Sequence, residues 1–180
     1  MLIAKEKRRT NIAEYILYLW QVEDLLRALN FNPDQIGKTL VARFDVDDDT
    51  RLEIYDWYKN LSSMMEKERV TKSGHLQFIL NLIDDLNQFH IQLLQSGKDP
   101  QYPALFQLAK PVINEFKQKS TDKDEHDIRL AFQALYSIIL LRLQKKEILP
   151  STQTAIDHIS RMMGHLSARY LQHEKGTFEF

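Results

Sequence analysis

The sequence predicts an all-α protein, an up-and-down bundle of about six or seven helices. Three observations lead there. Apolar residues recur at three- and four-residue spacing along nearly the whole chain. Between them stand good helix formers, chiefly Leu, Gln, Lys, Glu and Ala. The five glycines and five prolines fall mostly at the ends of those periodic stretches, and no run reads as a strand. With 180 residues and 43% hydrophobic composition the chain suits a single helical domain over 1–180, or two closely joined helical halves.

Thr10 and Asn11 can cap a first helix that runs to about Leu29, with Ile12, Ile16, Leu19, Glu23 and Leu26 on one face at about 100° per residue. Asn32 followed by Pro33 starts a second, to about Phe44. The run Asp45 to Thr50 caps and charges a third, whose stripe is Ile54, Trp57, Tyr58, Leu61, Met64 and Met65. Ser73-Gly74 breaks the chain before a fourth helix, with Leu76, Ile79, Leu80, Ile83, Leu86, His90 and Leu94 on its apolar arc, ending at Ser96-Gly97. A fifth begins near Pro100 or Pro103, and Pro111 inside it predicts a kink or a restart. Lys119 to Glu125 reads as a loop that caps a sixth helix carrying Ile128, Phe132, Leu135, Ile139 and Arg142 on one side. Pro150-Ser151-Thr152 opens a seventh, with Ile156, Ile159, Met163, Leu166 and Tyr170 at alternating spacing. The tail Gly176 to Phe180 ends helicity and carries two aromatics suited to docking.

Composition excludes several classes of function. There is no cysteine, so disulfides, thiolate nucleophiles and cysteine-held metal sites are out, which fits a reducing, cytoplasmic setting. The basic residues Lys5 to Arg9 precede no apolar signal segment. The longest aliphatic cluster, Ile138 to Leu143, is interrupted by Arg142 and far shorter than the ~20 residues of a spanning helix. A net charge of −1 and a pI near 6.6 offer no global field for nucleic acid. Carboxylate-bridged di-iron, zinc-helix, phosphate-loop and serine-elbow patterns are missing, so no cofactor or metal is implied. Asp45, Asp47 and Asp49 alternate like the start of a calcium loop, but Thr50 stands where the turn needs glycine, and helix capping is the better reading.

Three ionisable residues fall on apolar arcs and are the candidates for chemistry: Glu23, His90 and Arg142. A buried carboxylate must find a partner, reach water or hold its proton. If the three meet, Arg142 neutralises Glu23 while His90 takes a remaining lone pair, giving a satisfied core network or a polar pocket for a small ligand. The structural reading leads, because a histidine on an apolar face is usually a satisfied core residue and an arginine near a helix end can snorkel. On the seventh helix His158, Arg161, His165, Arg169 and Gln172 share a flank that could bind an anion or an acidic partner, with a solvated face as the plainer alternative.

The stretch Asn11-Ile-Ala-Glu-Tyr-Ile-Leu-Tyr-Leu-Trp-Gln-Val-Glu-Asp-Leu-Leu-Arg27, with Gly74-His-Leu-Gln77 and Tyr102-Pro-Ala-Leu-Phe106, resembles an uncharacterised all-helical family of Bacteroidetes-type bacteria, domain of unknown function 4924. The resemblance implies a compact helical domain in a bacterial cytoplasm and brings no activity or catalytic residues with it. The expected function is therefore a non-enzymatic helical scaffold or protein-interaction module. A homodimer through the Ile156 to Tyr170 seam is the expected assembly, because Ala13, Leu17 and Trp20 give the first helix more apolar face than one neighbour covers. The alternative is a small-molecule-binding or enzymatic bundle built on Glu23, His90 and Arg142. Membrane and nucleic-acid partners are not expected.

Overall fold

The computed structural model describes residues 1–120 and 124–180. Its helices are α1 (Leu2–Thr10), α2 (Ile12–Ala28), α3 (Pro33–Thr39), α4 (Asp48–Lys67), α5 (Gln77–Ser96), α6 (Tyr102–Lys119), α7 (Asp127–Leu143) and α8 (Pro150–Glu174), and among the described residues there is no strand. The all-α class therefore holds, with eight α-helices among the described residues. The chain forms two compact units, Met1–Arg9 with Glu14–Asn81, and Thr10–Ala13 with Leu82–Phe180.

In the first unit the basic stretch before Thr10 is itself helical, so α1 precedes the helix expected to start there. Asn32 caps α3 as its sequence predicts, accepting the Gln35 N–H at 3.0 Å, but α3 ends at Thr39 and a 3-10 turn over Val41–Arg43 replaces the expected continuation to Phe44. Asp47 caps α4, one oxygen accepting the Thr50 N–H and the other its hydroxyl, both at 2.8 Å. Those bonds hold the Asp47 carboxyl below its ordinary range. The core combines Ile16, Leu19 and Leu26 of α2, Ile54 and Met65 of α4, and Leu76 and Ile79 at the start of α5. Burying such aliphatic side chains contributes about 1.5–3 kcal/mol each.

In the second unit α6, α7 and α8 pack on one another. Pro111 neither stops nor restarts α6. Pro111 and Gln107 are both exposed, so the carbonyl that the ring deprives of a partner lies on a solvent-facing side of the helix. Residues 121–123 of the predicted Lys119 to Glu125 loop lie outside the described residues. The cap of α7 is His126, whose Nδ1 accepts the Arg129 N–H at 3.1 Å while Nε2–H donates to Asp84. Of the face assigned to α7, Ile128 and Phe132 are buried, Leu135 and Ile139 are half-buried, and Arg142 is exposed.

The seam of α8 is real, but it faces the interior of its own unit. Ile156, Ile159, Met163 and Leu166 are all buried within the single chain, as are Ala13 and Trp20, while Leu17 and Tyr170 are half-buried. After α8 the chain turns back at Gly176, φ +68°, a left-handed conformation that glycine adopts freely. His173 Nδ1–H then donates to the Phe178 carbonyl at 3.0 Å, and Phe178 and Phe180 pack around Phe89, so the tail docks as its aromatics predict.

Candidate functional site

Glu23 is 1% exposed, as the first-helix stripe requires, and its partners come from the turn that leads into α5. Its Oε1 accepts the Leu76 N–H at 2.8 Å, and its Oε2 accepts from His75 Nδ1–H at 2.6 Å. A carboxylate beside the first N–H groups of a helix also meets the positive end of the helix dipole. His75 is stacked on Trp20, with ring centroids 4.1 Å apart and planes at 11°. One turn further along α2, Arg27 donates to the carbonyls of Val70 and Gly74 and pairs with Asp24 at 2.8 Å. Gly74 has φ +88°, which a side chain would strain. Glu23, Arg27 and Trp20 thus hold the chain between α4 and α5 to the side of α2.

The second unit has its own buried acid. Asp99, 1% exposed, lies between α5 and α6. Its Oδ1 accepts the N–H groups of Gln101 and Tyr102 at 3.0 and 3.1 Å, and its Oδ2 takes His165 Nε2–H and Arg169 Nε–H, each at 2.6 Å. Burial alone would raise this carboxyl. The bonds from His165, Arg169 and the Tyr102 N–H outweigh it and hold the group at about 2. Tyr102 continues the cluster, because its ring stacks on His165 and its hydroxyl bonds His90 Nδ1 at 2.6 Å. Burial keeps His90 neutral, lowering it to about 4, and pushes the Tyr102 phenol up.

The predicted residues therefore have separate partners. Glu23 is bound by His75 in the first unit; His90 is bound by Tyr102 in the second, and Arg142 donates to Gln153 at 2.9 Å on the surface. Arg142 is a correction to the expectation of three inward-facing charges: it sits in the last turn of α7, where the helix emerges into solvent. On α8 the flank divides. His165 and Arg169 do bind an anion, and that anion is the chain's own Asp99; His158 is half-buried and Arg161 is exposed.

His75, Asp99 and Tyr102 escaped the sequence reading. Asp99 precedes a proline and stands three residues before Tyr102, an N-terminal capping pattern that could have been read. His75 lies in a loop whose periodicity carries no signal. Among the described residues no cluster of three or more His, Asp or Glu side chains is arranged to hold a metal ion, and no helix is long and apolar enough to cross a membrane. A cavity of about 340 Å³ opens in the first unit, lined by Gly37, Val41, Ala42, Leu52 and Tyr55 with Asp48 and Arg51 at its polar edge. None of the buried ionisable residues lines it.

These features define a class: an all-helical protein whose buried acids clamp its own loops and whose cavity is apolar. The chain belongs to the family described as domain of unknown function DUF4924, whose profile matches residues 1–177. No curated protein and no solved structure matches it.

Proposed function

We propose that this protein is a non-enzymatic helical scaffold or interaction module acting in the cytoplasm. The observation that carries the reading is the use made of the buried polar groups. Glu23 accepts one backbone N–H at the start of a helix and a histidine N–H, and Asp99 accepts two backbone N–H groups, a histidine N–H and an arginine N–H, so both oxygens of each acid are engaged by the chain's own groups. A site on Glu23, His90 and Arg142 would have to displace the partner that each already holds. The cysteine-free composition supports a reducing compartment.

A metabolite thermal-shift screen on wild type and Glu23→Gln tests this. The expected result is no compound that stabilises wild type and fails on the variant. A saturable shift abolished by Glu23→Gln, with the variant still folded, would establish the ligand-binding alternative instead.

A further inference from the structure

We propose that the cavity beside α3 and α4 binds a free α-amino acid with a large apolar side chain, such as leucine, the side chain entering the cavity and the zwitterionic end lying on Asp48 and Arg51. This goes beyond the interaction-module reading and does not depend on it.

Three features suit the cavity to an apolar group. Val41, Ala42, Leu52 and Tyr55 give it its walls. At about 340 Å³ it lies at the small end of the roughly 300–1,000 Å³ typical of ligand pockets, so the body it can hold is that of a small molecule. The third feature is Gly37 on the α3 side. Glycine inside a helix is less favourable than alanine, yet Gly37 has no positive φ to require it, and an added Cβ would make only an ordinary 3.8 Å contact with Tyr55. Neither the backbone nor the packing of the chain demands glycine there; its effect is to leave that wall of the cavity bare.

Charge at the edge selects the ligand. Asp48 and Arg51 are the charged residues that line the cavity, and on α4 they share a face with Leu52 and Tyr55, because spacings of three, four and seven residues return to the same side of a helix. Arg51 Nη2–H donates to the Val46 carbonyl at 3.0 Å, which fixes the guanidinium at the start of α4. Its Nε stands 3.8 Å from Asp48 Oδ1, too far for a hydrogen bond, and the Asp48 carboxylate is fully exposed. The two charges are thus side by side, and each keeps hydrogen-bonding capacity that the other does not use. The neighbouring Asp47, by contrast, is engaged by the Thr50 N–H and hydroxyl.

An α-amino acid carries the matching set on one carbon: an ammonium for Asp48, a carboxylate for Arg51 and a side chain for the cavity. Apolar ligands with a single charge fit less well. A fatty acid would bring its carboxylate against Asp48, and an apolar amine would bring its ammonium against Arg51, so each gains one ionic contact and meets one repulsion. The zwitterion in this orientation gains both contacts. Glu23, Arg27 and His75, which hold the turn before α5, do not line the cavity, so its occupation leaves that clamp untouched.

Amide NMR of the full chain, titrated with L-leucine, tests the site. With about nine non-hydrogen atoms and an exposed charged end, leucine is expected to bind with a Kd on the order of 1 mM, moving the amides of Gly37, Ala42 and Leu52 saturably. Glycine, which lacks the side chain, should bind at least about tenfold more weakly. Isocaproate and isoamylamine keep the side chain but lack the ammonium and the carboxylate respectively. Each should bind about two- to fivefold more weakly than leucine, as should leucine itself to Asp48→Asn and to Arg51→Gln. Gly37→Leu fills the cavity and should abolish the shifts; Leu52→Asp, at an exposed position, replaces it if circular dichroism shows that the larger residue unfolds the protein. No saturable shift up to about 20 mM leucine, or isocaproate or isoamylamine binding as tightly as leucine, overturns the proposal. Leucine binding that survives the cavity variant, or that is lost in Glu23→Gln, overturns it too. Binding retained in Glu23→Gln supports the site and leaves the interaction-module reading standing; a shift by some other metabolite that Glu23→Gln abolishes removes that reading without touching this site.

Discussion

Asp99→Asn isolates the ionic cluster of Asp99 with His165 and Arg169. The substituted amide still offers an oxygen to the N–H groups of Gln101 and Tyr102, so the turn before α6 keeps its cap. Its NH2 end, however, faces two donors, His165 Nε2–H and Arg169 Nε–H, which the carboxylate held at 2.6 Å. His165 can move its proton to Nδ1 and accept; Arg169 cannot. A carboxyl held at about 2 instead of 3.8 stabilises the folded state by about 2–3 kcal/mol at neutral pH, and the substitution forfeits that. For a chain of this length the loss lowers the melting temperature by about 5–10 °C. The pH dependence gives an independent check. Because the folded value is depressed, the contribution is fully present above pH 3.8 and is lost as pH falls toward about 2, so Asp99→Asn should flatten the acid limb of a stability profile in that window. Far-UV circular dichroism during urea and heat denaturation measures both quantities. A variant that melts within about 1 °C of wild type and keeps the same acid limb would refute the assignment of Asp99 as the anchor of α6 and α8.

Three further outcomes follow from the same geometry. His90, lowered to about 4 from 6.5, contributes stability that is present above pH 6.5 and lost as pH falls toward 4; urea melts should show about 2 kcal/mol of this loss between pH 7 and 5, absent in His90→Gln, which can still bond Tyr102. Glu23→Gln keeps an acceptor for the Leu76 N–H and should cost about 1 kcal/mol, whereas Glu23→Ala strands that buried N–H and the His75 N–H and should cost about 3, a ratio that equilibrium denaturation can resolve. Arg142→Ala should change stability by no more than about 0.5 kcal/mol, because the side chain is exposed and its one bond is to Gln153; a larger loss in the same melts would show that it is structural after all.

What the sequence made legible was the burial pattern, and what it hid was who meets whom. Period alone placed Ile16, Leu19, Glu23 and Leu26 inside, and they are inside, because a helix fixes which residues share a face. It also placed His90 inside, correctly. Period failed for Arg142 because a stripe extrapolated along α7 does not reveal where the covering neighbours stop, and the end of α7 is largely uncovered. The α8 seam shows the same limit of periodicity. An apolar stripe shows that something covers it, but the cover can be α6 and α7 of the same chain as readily as a second molecule. The partners of the buried acids were illegible for another reason: His75 and Asp99 lie in connections, where no periodicity exists, and only tertiary structure brings them to Glu23 and to His165.

The two clamps share a physical design although the chain has no internal repeat. In each, a fully buried carboxylate lies at the start of a helix, takes at least one main-chain N–H there, and shares its remaining capacity with a histidine that is stacked on an aromatic ring, Trp20 against His75 and Tyr102 against His165. An ion buried alone would cost several kcal/mol, and at Asp99 four donors offset that cost. That engagement works against chemistry. A catalytic acid or base must exchange a proton or a lone pair with substrate, and Asp99, with four donors on its two oxygens, has little left to exchange, while Glu23 would have to give up His75 or the Leu76 N–H at whichever oxygen a substrate approached. With both buried acids held by loops and histidines, the chemistry open to solvent in the first unit is that of exposed charged side chains and of four exposed leucine and isoleucine side chains, Leu2, Ile3, Leu25 and Leu52.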